Sequence, residues 1–425
     1  MLAKIAFSIG ILSIMMKSHF TSTFFAANRT RLRKKCNKDA PIVIAANGLL
    51  QRGGDSSYAF AQDANFWYLT GIDEPDLVLV IFQNDDYLIV PERSDSRQAF
   101  DGTIVANDLI ERSGIATVLT ETVGWERLLS NLEKTQAVAT VAPPPTYINH
   151  YGLYANPARE ALVSRLKKTH PTIEITDVSI DLARMRMVKQ QPELAAIRAA
   201  IAITLATLAE VSSPEQLKLY SHEYEVEADI SRGFRRRGAS GHSFEPIVAA
   251  GISAVTLHNV ANNGQLQPGE LLLMDVGAEV EHYAADITRT VCLGAASPRQ
   301  RAVHDAVLDV QQYAMKLLKP GILLREYEKQ IEQYMGTKLL ELGLITEATH
   351  EAVRTYFPHA TSHYLGLNVH DTGDYDQPLV PGVVVTVEPG IYIPEESIGV
   401  RIEDDVLITD TGIEVLSSDL PGSLA

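Results

Sequence analysis

The feature that most constrains the fold is a set of short apolar runs that end in acidic residues. Asp275 directly follows the run LLLM, and Glu388 ends a largely β-branched run that begins at Val383. Short apolar runs bounded by turn residues predict buried strands, and Pro389 and Gly390 supply such a turn. A carboxylate in apolar surroundings is costly unless it is paired or bound to a cation. The chain is therefore predicted to present acids from the ends of buried strands.

The length of 425 residues exceeds the size at which one hydrophobic core usually stops growing, so two domains are predicted. Short strands and helices between residues 41 and 175 indicate a mixed α/β domain. From Pro192 onward, longer helices alternate with strands that carry most of the acids and histidines, which indicates a second α/β domain. We place an uncertain N-terminal extension at residues 1–24, the first domain at 25–180 and the second at 181–425.

Individual elements follow from the same patterns. Buried strands are predicted at residues 41–46, 77–82, 87–90, 270–276, 286–291, 383–388 and 399–409. Helices are predicted at residues 106–113, 124–132, 223–237, 298–318 and 324–342, together with the one that begins at Pro192.

The N-terminus carries an apolar run at residues 5–16, behind Lys4. It resembles the apolar region of a signal peptide but is too short for a membrane-spanning helix, which needs about 20 apolar residues. No clear small-x-small cleavage site follows it, so we expect a cytoplasmic protein without stable membrane insertion. Export or organelle targeting, a later start at Met15 or Met16, and packing of the run on the first domain are the alternatives. The basic run at residues 29–38 is typical of the solvated face of a first helix.

Charge and cysteine content exclude several classes of function. The formal net charge is -16, and nucleic-acid binding requires a basic surface. Only two cysteines occur, Cys36 and Cys292, so a disulfide framework and a cysteine-based metal site are excluded. Unpaired thiols in a reducing compartment are the expectation for both.

Three segments carry the candidate chemistry. In the first, two strands flank a turn near residues 279–282, so Asp275 and Asp286 can face each other across a hairpin. The alternative is that one or both lie at the rim of the sheet in water, since Asp is common at turn edges. In the second, His359, His363 and His370 lie within a dozen residues, which favours a metal or acid–base site over three isolated packed histidines.

The third segment follows Glu388. On a single strand, Arg401, Glu403 and Asp405 would share one face, so that Arg401 stands beside Glu403 and orients it. The competing interpretation is an edge strand with a solvated polar face, which suits Asp404 and Asp405 better than Glu403.

Charge balance joins these segments. Four converging carboxylates would repel one another, whereas two divalent cations balance them in formal charge. A ligand set that is mostly oxygen and partly nitrogen favours Mn²⁺, with Co²⁺, Fe²⁺ and Zn²⁺ as alternatives. Two ions about 3.5 to 4 Å apart can share a hydroxide nucleophile and polarise a carbonyl.

The order and spacing of four motifs resemble those of the proline-specific aminopeptidases (aminopeptidase P), which are creatinase-like "pita-bread" metallopeptidases. The motifs are MDVGAEVEHYAADITRT, HATSHYLGLNVHD, TVEPGIY and VRIEDD. The stretch at residues 56–76 resembles their non-catalytic N-terminal domain, and KQQPELAAIR resembles the start of their catalytic domain. The resemblance covers the chain from about Phe25 onward.

The resemblance implies a role for each site residue. Asp275 and Glu388 would be terminal ligands of opposite metal ions, Asp286 and Glu403 would bridge both, and His363 would complete the site. His258 matches a substrate-positioning histidine, and His370 matches the one that stabilises the tetrahedral intermediate at the scissile carbonyl. His359 and Arg401 match residues around the proline and the bridging glutamate, Tyr392 falls in a matching motif, and Glu388 is the expected proton shuttle.

The implied activity is hydrolysis of the N-terminal Xaa-Pro bond of peptides by a metal-bridging hydroxide, in a homodimer or homotetramer. An Xaa-Pro dipeptidase (prolidase) shares the ligands and the fold class. Methionine aminopeptidases share the ligands but lack the long N-terminal domain. Some members of the fold are non-catalytic protein-binding modules, but those have lost ligand residues that this chain retains.

Overall fold

The computed structural model describes residues 18–36, 39–142 and 152–424. Contacts between residues divide the chain into two compact units, Met1–Leu182 and Ala183–Ala425. Both units are mixed α/β, which confirms the predicted fold class. The apolar run at residues 5–16 lies outside the described residues.

The N-terminal unit is built on a six-stranded mixed sheet with the strand order β6-β5-β4-β1-β7-β8, and a separate hairpin of β2 and β3. Its strands are β1 (Ile42–Ala45), β2 (Gln51–Gly53), β3 (Ser56–Ser57), β4 (Val78–Phe82), β5 (Asp85–Val90), β6 (Thr117–Thr120), β7 (Ala137–Thr140) and β8 (Glu174–Asp177). Its helices are α1 (Ser22–Lys35), α2 (Ala64–Thr70), α3 (Asp95–Asp101), α4 (Ala106–Ser113), α5 (Glu121–Thr135) and α6 (Ala158–Thr169). The strands predicted in this part of the chain are confirmed as β1, β4 and β5, and the helices as α4 and α5.

Helix α1 differs from its prediction in one respect. Arg29 is only 2% exposed, although a solvated face was expected for the basic run. Its Nε atom donates to Asp86 at 2.8 Å, and its Nη1 atom donates to the carbonyls of Leu69 and Ser113. The expectation is therefore wrong for Arg29, because a buried guanidinium is tolerated where a carboxylate and carbonyls satisfy its donors.

The C-terminal unit consists of small antiparallel sheets packed with helices. Helix α7 (Ser179–Met187) contains the boundary between the units. The strands are β9 (Gly241–His242), β10 (Ile247–Ala250), β11 (Leu271–Val276), β12 (Ala278–Val280), β13 (Tyr283–Ala284), β14 (Ile287–Cys292), β15 (Val384–Val387), β16 (Gly390–Ile393), β17 (Ile398–Arg401), β18 (Asp404–Ile408) and β19 (Ile413–Val415). The helices are α8 (Gln191–Val211), α9 (Pro214–Leu217), α10 (Glu223–Arg236), α11 (Pro298–Leu317), α12 (Leu324–Glu341) and α13 (His350–Tyr356), with short 3₁₀ helices at Gly251–Val255 and Pro394–Glu396.

The strand orders are β10-β11-β14, β13-β12-β9, β15-β18-β19 and β16-β17. Strands β11 and β14 are antiparallel with Asp275 opposite Thr288, as a hairpin between the two acids requires. The connection between them is itself a hairpin of β12 and β13, which turns at Glu281 and His282 with positive φ angles of 48° and 69°. The strands predicted at 270–276, 286–291 and 383–388, and the helices predicted in this unit, are confirmed.

The strand predicted at residues 399–409 is wrong, because the structure has two strands there. Strand β17 ends at Arg401 and pairs with β16, whereas β18 begins at Asp404 and pairs with β15 and β19. The chain therefore changes sheets at Ile402 and Glu403. Consequently Arg401, Glu403 and Asp405 do not share the face of one strand.

Helix α8 is apolar and long enough to cross a membrane by length and composition. However, 61% of its apolar window is buried inside the protein. The capping box of Gln190 and Glu193 and an early proline begin the helix at its N-terminus. Packing in the core accounts for its apolar composition, as expected for an internal helix.

Candidate metal and catalytic site

The four predicted carboxylates converge from three sheets of the C-terminal unit. Asp275 lies in β11, Asp286 directly precedes β14, Glu388 directly follows β15, and Glu403 lies between β17 and β18. Asp275, Asp286 and Glu403 are 8%, 5% and 1% exposed. The backbone N–H of Glu403 donates to the Thr288 carbonyl at 3.1 Å, which brings the residues after β17 against β14.

His363 lies among these carboxylates. Its Nε2 atom is 3.4 Å from Asp286 Oδ2 and 3.3 Å from Glu388 Oε1. One ligand atom each from Asp286, His363 and Glu403 lie within 4.8 Å of one another, a separation that suits a shared cation. The structure therefore places these predicted ligands around one point.

The tautomer of His363 also suits a metal ligand. Its Nδ1 atom is 3.1 Å from the carbonyl of Tyr364, so Nδ1–H donates to that carbonyl and the Nε2 lone pair faces the carboxylates. Burial and the neighbouring His370 lower the pKa of His363 to about 3. The imidazole is therefore neutral at physiological pH, as metal coordination requires.

Unpaired oxygen atoms test whether the carboxylates fit a cation. Asp275 Oδ1, Asp286 Oδ1 and Glu403 Oε1 are buried and have no hydrogen-bond partner among the described residues. Buried polar atoms are ordinarily satisfied, so three orphan carboxylate oxygens at one place call for a partner. A divalent cation supplies it, and the mostly oxygen donor set fits Mn²⁺ and the other first-row ions that accept oxygen and imidazole ligands.

Electrostatics point to the same conclusion. Burial and the neighbouring carboxylates raise the pKa of Asp286 and of Glu403 well above their usual values. Burial raises the pKa of Glu388 to about 8, although Arg401 opposes the shift. Glu388 therefore retains a proton at neutral pH unless a cation replaces it, so metal binding there must release a proton.

Arg401 joins two sides of the site. Its Nη2 atom donates to Asp275, and its Nε atom donates to Thr288 Oγ1 at 3.2 Å. The Thr288 hydroxyl donates to Glu403 Oε2 at 2.6 Å. Arg401 therefore acts on Glu403 through Thr288, and not as its neighbour on a strand face.

A second branch leads from Arg401 to His359. Arg401 Nη1 donates to the Tyr392 hydroxyl at 2.7 Å, and that oxygen is 2.8 Å from His359 Nε2. The Nδ1 atom of His359 lies 2.8 Å from the carbonyl of Ala360, so Nδ1–H donates there and Tyr392 O–H donates to Nε2. Burial and Arg401 lower the pKa of His359 to about 3, so this branch holds a neutral imidazole 3.7 Å from Glu388.

The other two predicted histidines lie close by. The rings of His370 and His363 are 4.2 Å apart between centroids. Burial, followed by the charge of His258, lowers the pKa of His370, and His258 also acts on the pKa of His359. All nine predicted site residues therefore lie in or beside one cluster.

The competing interpretation of a solvated face for Asp404 and Asp405 is wrong. They are only 7% and 0% exposed. Asp404 accepts from the Arg289 guanidinium at 2.7 Å, and Asp405 Oδ2 accepts from the backbone N–H of Asp286 at 3.2 Å. The change of sheet at Glu403 turns both residues into the interior.

Two threonines of the site were missed. Besides Thr288, Thr386 Oγ1 donates to Glu388 Oε1 at 3.3 Å and accepts from the His363 backbone N–H at 3.2 Å. Each threonine is two residues from a predicted ligand in the same strand or at its end, and therefore on the same face. Strand alternation could have found both.

Comparison with known proteins agrees with this geometry. Residues 195–410 match the profile of Metallopeptidase family M24, and residues 25–141 match that of the Aminopeptidase P, N-terminal domain. The chain belongs to metallopeptidase family M24, in the group that carries the aminopeptidase P N-terminal domain.

The names of similar proteins in that group are more specific than the family name. The chain is 33% identical to the Xaa-Pro aminopeptidase of Escherichia coli (strain K12), over 93% of this chain and 94% of that protein. It is also 33% identical to the human Xaa-Pro aminopeptidase 3, over 90% of this chain and 79% of that protein. The structure of aminopeptidase P from E. coli with the inhibitor Pro-Leu superposes with a TM-score of 0.85 at 28% identity, covering 96% and 97% of the two chains. A zinc-substituted form of that enzyme, in complex with product, gives a TM-score of 0.84 at 29% identity, covering 96% and 97%.

Proposed function

We propose that this chain is a metal-dependent Xaa-Pro aminopeptidase, which hydrolyses the bond between an N-terminal residue and a following proline. The observation that carries the proposal is the buried cluster of Asp275, Asp286, His363, Glu388 and Glu403, with its three unpaired carboxylate oxygens. Relatives that share the chain over nearly its full length are Xaa-Pro aminopeptidases. A non-catalytic binding module is disfavoured, since every predicted ligand is present and the ligands converge.

The proposed cofactor is a pair of divalent cations, Mn²⁺ in the first place. Four carboxylates around a neutral imidazole are balanced by two such ions, and the oxygen-rich donor set favours Mn²⁺ over softer metals. Asp275 and Glu388 would hold opposite ions, and Asp286 and Glu403 would hold both. When bound, the ions supply an activated water and polarise the scissile carbonyl.

The chain's own residues position the substrate and move the proton. His370 lies beside His363 at the edge of the cluster, where a donor can stabilise the developing charge on the scissile carbonyl oxygen. Glu388 would accept the proton of the attacking water, because a carboxylate that binds one ion can still accept a proton from a neighbouring water. His258 and His359 flank the same space, and Tyr392 and Arg401 hold His359 in one tautomer.

The remaining parts of the proposal concern assembly and location. We assign a homodimer or homotetramer acting on peptides with proline in the second position, in the cytoplasm. Size-exclusion chromatography with light scattering distinguishes these assemblies from a monomer. Localisation of a tagged full-length chain, compared with one lacking residues 1–17, tests whether the N-terminus directs export.

Activity is tested with the Mn²⁺-loaded protein on Ala-Pro-Ala and on Ala-Pro. An aminopeptidase releases alanine from the tripeptide, whereas a dipeptidase cleaves only the dipeptide. Ala-Ala-Ala is the control for proline specificity. Cleavage of the dipeptide alone, or equal cleavage of the two tripeptides, contradicts the proposal.

A further inference from the structure

A second polar cluster lies behind the carboxylates. It consists of Arg289 in β14, Gln311 in α11 and Asp404 in β18, which we call the rear cluster. Their side chains are buried, with exposures of 4%, 3% and 7%. The predicted catalytic and metal-binding residues do not include any of the three.

Arg289 joins the chain segments that present Asp286 and Glu403, the two proposed bridging carboxylates. Its Nη1 atom donates to the carbonyls of Thr288 at 2.9 Å and Glu403 at 2.5 Å. Its Nη2 atom donates to Asp404 Oδ1 at 2.7 Å. The guanidinium therefore holds the backbone of Glu403 against that of Thr288 in β14. Thr288 lies two residues after Asp286.

Gln311 reaches two more backbone positions from helix α11. Its Nε2 atom lies 2.9 Å from Asp404 Oδ2, 3.3 Å from the Ile402 carbonyl and 3.4 Å from the Val387 carbonyl. Ile402 and Val387 directly precede Glu403 and Glu388. One amide group therefore ties together the two strand ends that present these carboxylates.

The C-terminal segment completes the rear cluster. Ser417 Oγ donates to Asp404 Oδ1 at 2.6 Å, and the Leu420 carbonyl accepts from Arg289 Nη2 at 2.6 Å. The match to family M24 ends at residue 410, so these two contacts come from beyond the matched region.

Stability alone is a poor explanation for such a cluster. Buried ion pairs often contribute no more than apolar side chains of similar volume, because removing two charges from water is costly. Outer partners that hold metal ligands in place have a different effect, since their loss typically reduces metal affinity or activity about 10–100-fold. We propose that the rear cluster is a positioning device that sets the affinity of the site for divalent cations by fixing Glu388 and Glu403. The inference rests on one part of the proposed function, namely that the four carboxylates of the site bind divalent cations.

The test substitutes Gln311→Leu, which keeps the approximate volume and removes the Nε2 group together with its contacts to all three acceptors. Gln312→Leu is the matched control, because Gln312 is the next residue on the same helix and is exposed. Mn²⁺ affinity and stoichiometry are measured by isothermal titration calorimetry on metal-stripped protein, well below the melting temperature of each variant. We expect the Mn²⁺ dissociation constant to rise about 10–100-fold in Gln311→Leu and to stay unchanged in Gln312→Leu.

Arg289 provides a graded version of the test. Arg289→Met removes the charge and the donors, whereas Arg289→Lys keeps the charge without the planar fork that contacts several acceptors at once. We expect Arg289→Lys to recover part of the Mn²⁺ affinity that Arg289→Met loses. Equal affinities in both variants and the wild type would overturn the proposal.

The proposal can still be tested if Gln311→Leu does not fold. In that case, Ser417→Ala is measured in the same way, with a several-fold weaker Mn²⁺ affinity expected. It removes the hydrogen bond to Asp404 and the acceptor of the Asp405 backbone N–H, which lies 3.1 Å from Ser417 Oγ. Wild-type Mn²⁺ affinity in the folded variant overturns the inference even when its melting temperature falls. A wild-type protein that binds Mn²⁺ but does not cleave Ala-Pro-Ala contradicts the proposed function and leaves the affinity comparison valid.

Discussion

The carboxylates of the site lie in strands or directly beside them, whereas its histidines lie in loops. Asp275, Asp286, Glu388 and Glu403 form what we call the carboxylate wall, and His258, His359, His363 and His370 form the histidine wall. Strand register fixes the first wall, as the pairing of Asp275 with Thr288 illustrates. The second wall is only partly held in this way: the Leu365 N–H donates to the Val384 carbonyl at 3.1 Å and the Thr386 N–H donates to the His363 carbonyl at 3.0 Å. The segments around His258 and His370 lie outside the named strands and are held in another way.

Buried charge holds the loop that carries His363 and His370. Asp371, next to His370, is paired with Arg186 and with Lys189, whose Nζ is 3.3 Å away. Burial acts to raise the pKa of Asp371, but the two cations outweigh it and the pKa is lowered. The Asp371 backbone N–H also donates to the Tyr364 carbonyl at 2.7 Å, which closes the loop.

A buried carboxylate likewise braces the loop that carries His258. Glu223 Oε1 accepts from the backbone N–H of Ala250 at 2.8 Å, and its Oε2 accepts from Gly264 at 2.8 Å. These two residues flank the loop on either side of His258. The difference between the walls teaches that sheets place the carboxylates and His363, whereas buried ionic side chains distant in sequence brace the loops of His258 and His370.

The largest expected effect breaks the carboxylate wall. Asp286→Asn keeps the shape of a bridging ligand but removes its charge, so we expect loss of bound metal and a fall in kcat/KM of more than about 100-fold, because even outer partners of ligands cost 10–100-fold. Metal content by mass spectrometry and Ala-Pro-Ala turnover are the measurements. Asp410→Asn, at an exposed position, is the control. Full turnover in Asp286→Asn would contradict a metal site here.

The next effect separates the two walls. His370→Ala is expected to reduce kcat about 10²–10³-fold, the range found when one group that stabilises an oxyanion is removed. Mn²⁺ affinity should stay near the wild-type value, because His370 is not a predicted ligand. His350→Ala is the control, because it makes the same substitution at an exposed histidine. Loss of metal together with activity would show that the walls do not act separately.

A smaller effect is expected behind the histidine wall. Lys189→Met leaves Asp371 paired with Arg186 alone, so the loop with His370 loses part of its anchor, and kcat should fall about 10–100-fold with little change in Mn²⁺ affinity. Lys189→Arg should restore part of the rate. If Lys189→Met melts at a lower temperature but keeps the wild-type kcat, the ion pair of Lys189 and Asp371 contributes only to stability.

The smallest effect is one of pH, and it concerns the carboxylate wall. Because burial raises the pKa of Glu388 to about 8, this group holds a proton below pH 8 that must leave when a cation binds. The contribution of Glu388 should therefore make Mn²⁺ affinity rise with pH by up to about tenfold per unit below pH 8 and should level off above it. His359 and His363 have pKa values near 3 and contribute nothing in this range. Calorimetry in buffers of different ionisation enthalpy measures the protons released, and a pH-independent affinity would contradict the prediction.

The carboxylate wall could be predicted from the sequence more accurately than the strand break and the ion pairs around it. Apolar runs that end in acids mark strand ends, so Asp275 and Glu388 could be placed from local pattern alone. The single strand through Arg401 and Asp405 was predicted wrongly because a change of sheet at Ile402 leaves no local signal. The pairing of Lys189 with Asp371 spans 182 residues, and neither residue's neighbours indicate it. Arg29 was predicted as solvated for the same reason, since its carboxylate partner lies 57 residues away.

Contacts of the C-terminal segment also bear on the order in which the site is assembled during folding. Arg289 and Asp404 find their last partners only when Leu420 and Ser417 dock against them. Until then the strand ends that present Glu388 and Glu403 have an incomplete brace. Docking of residues 417–420 should therefore be the step at which a refolding chain acquires its full affinity for cations.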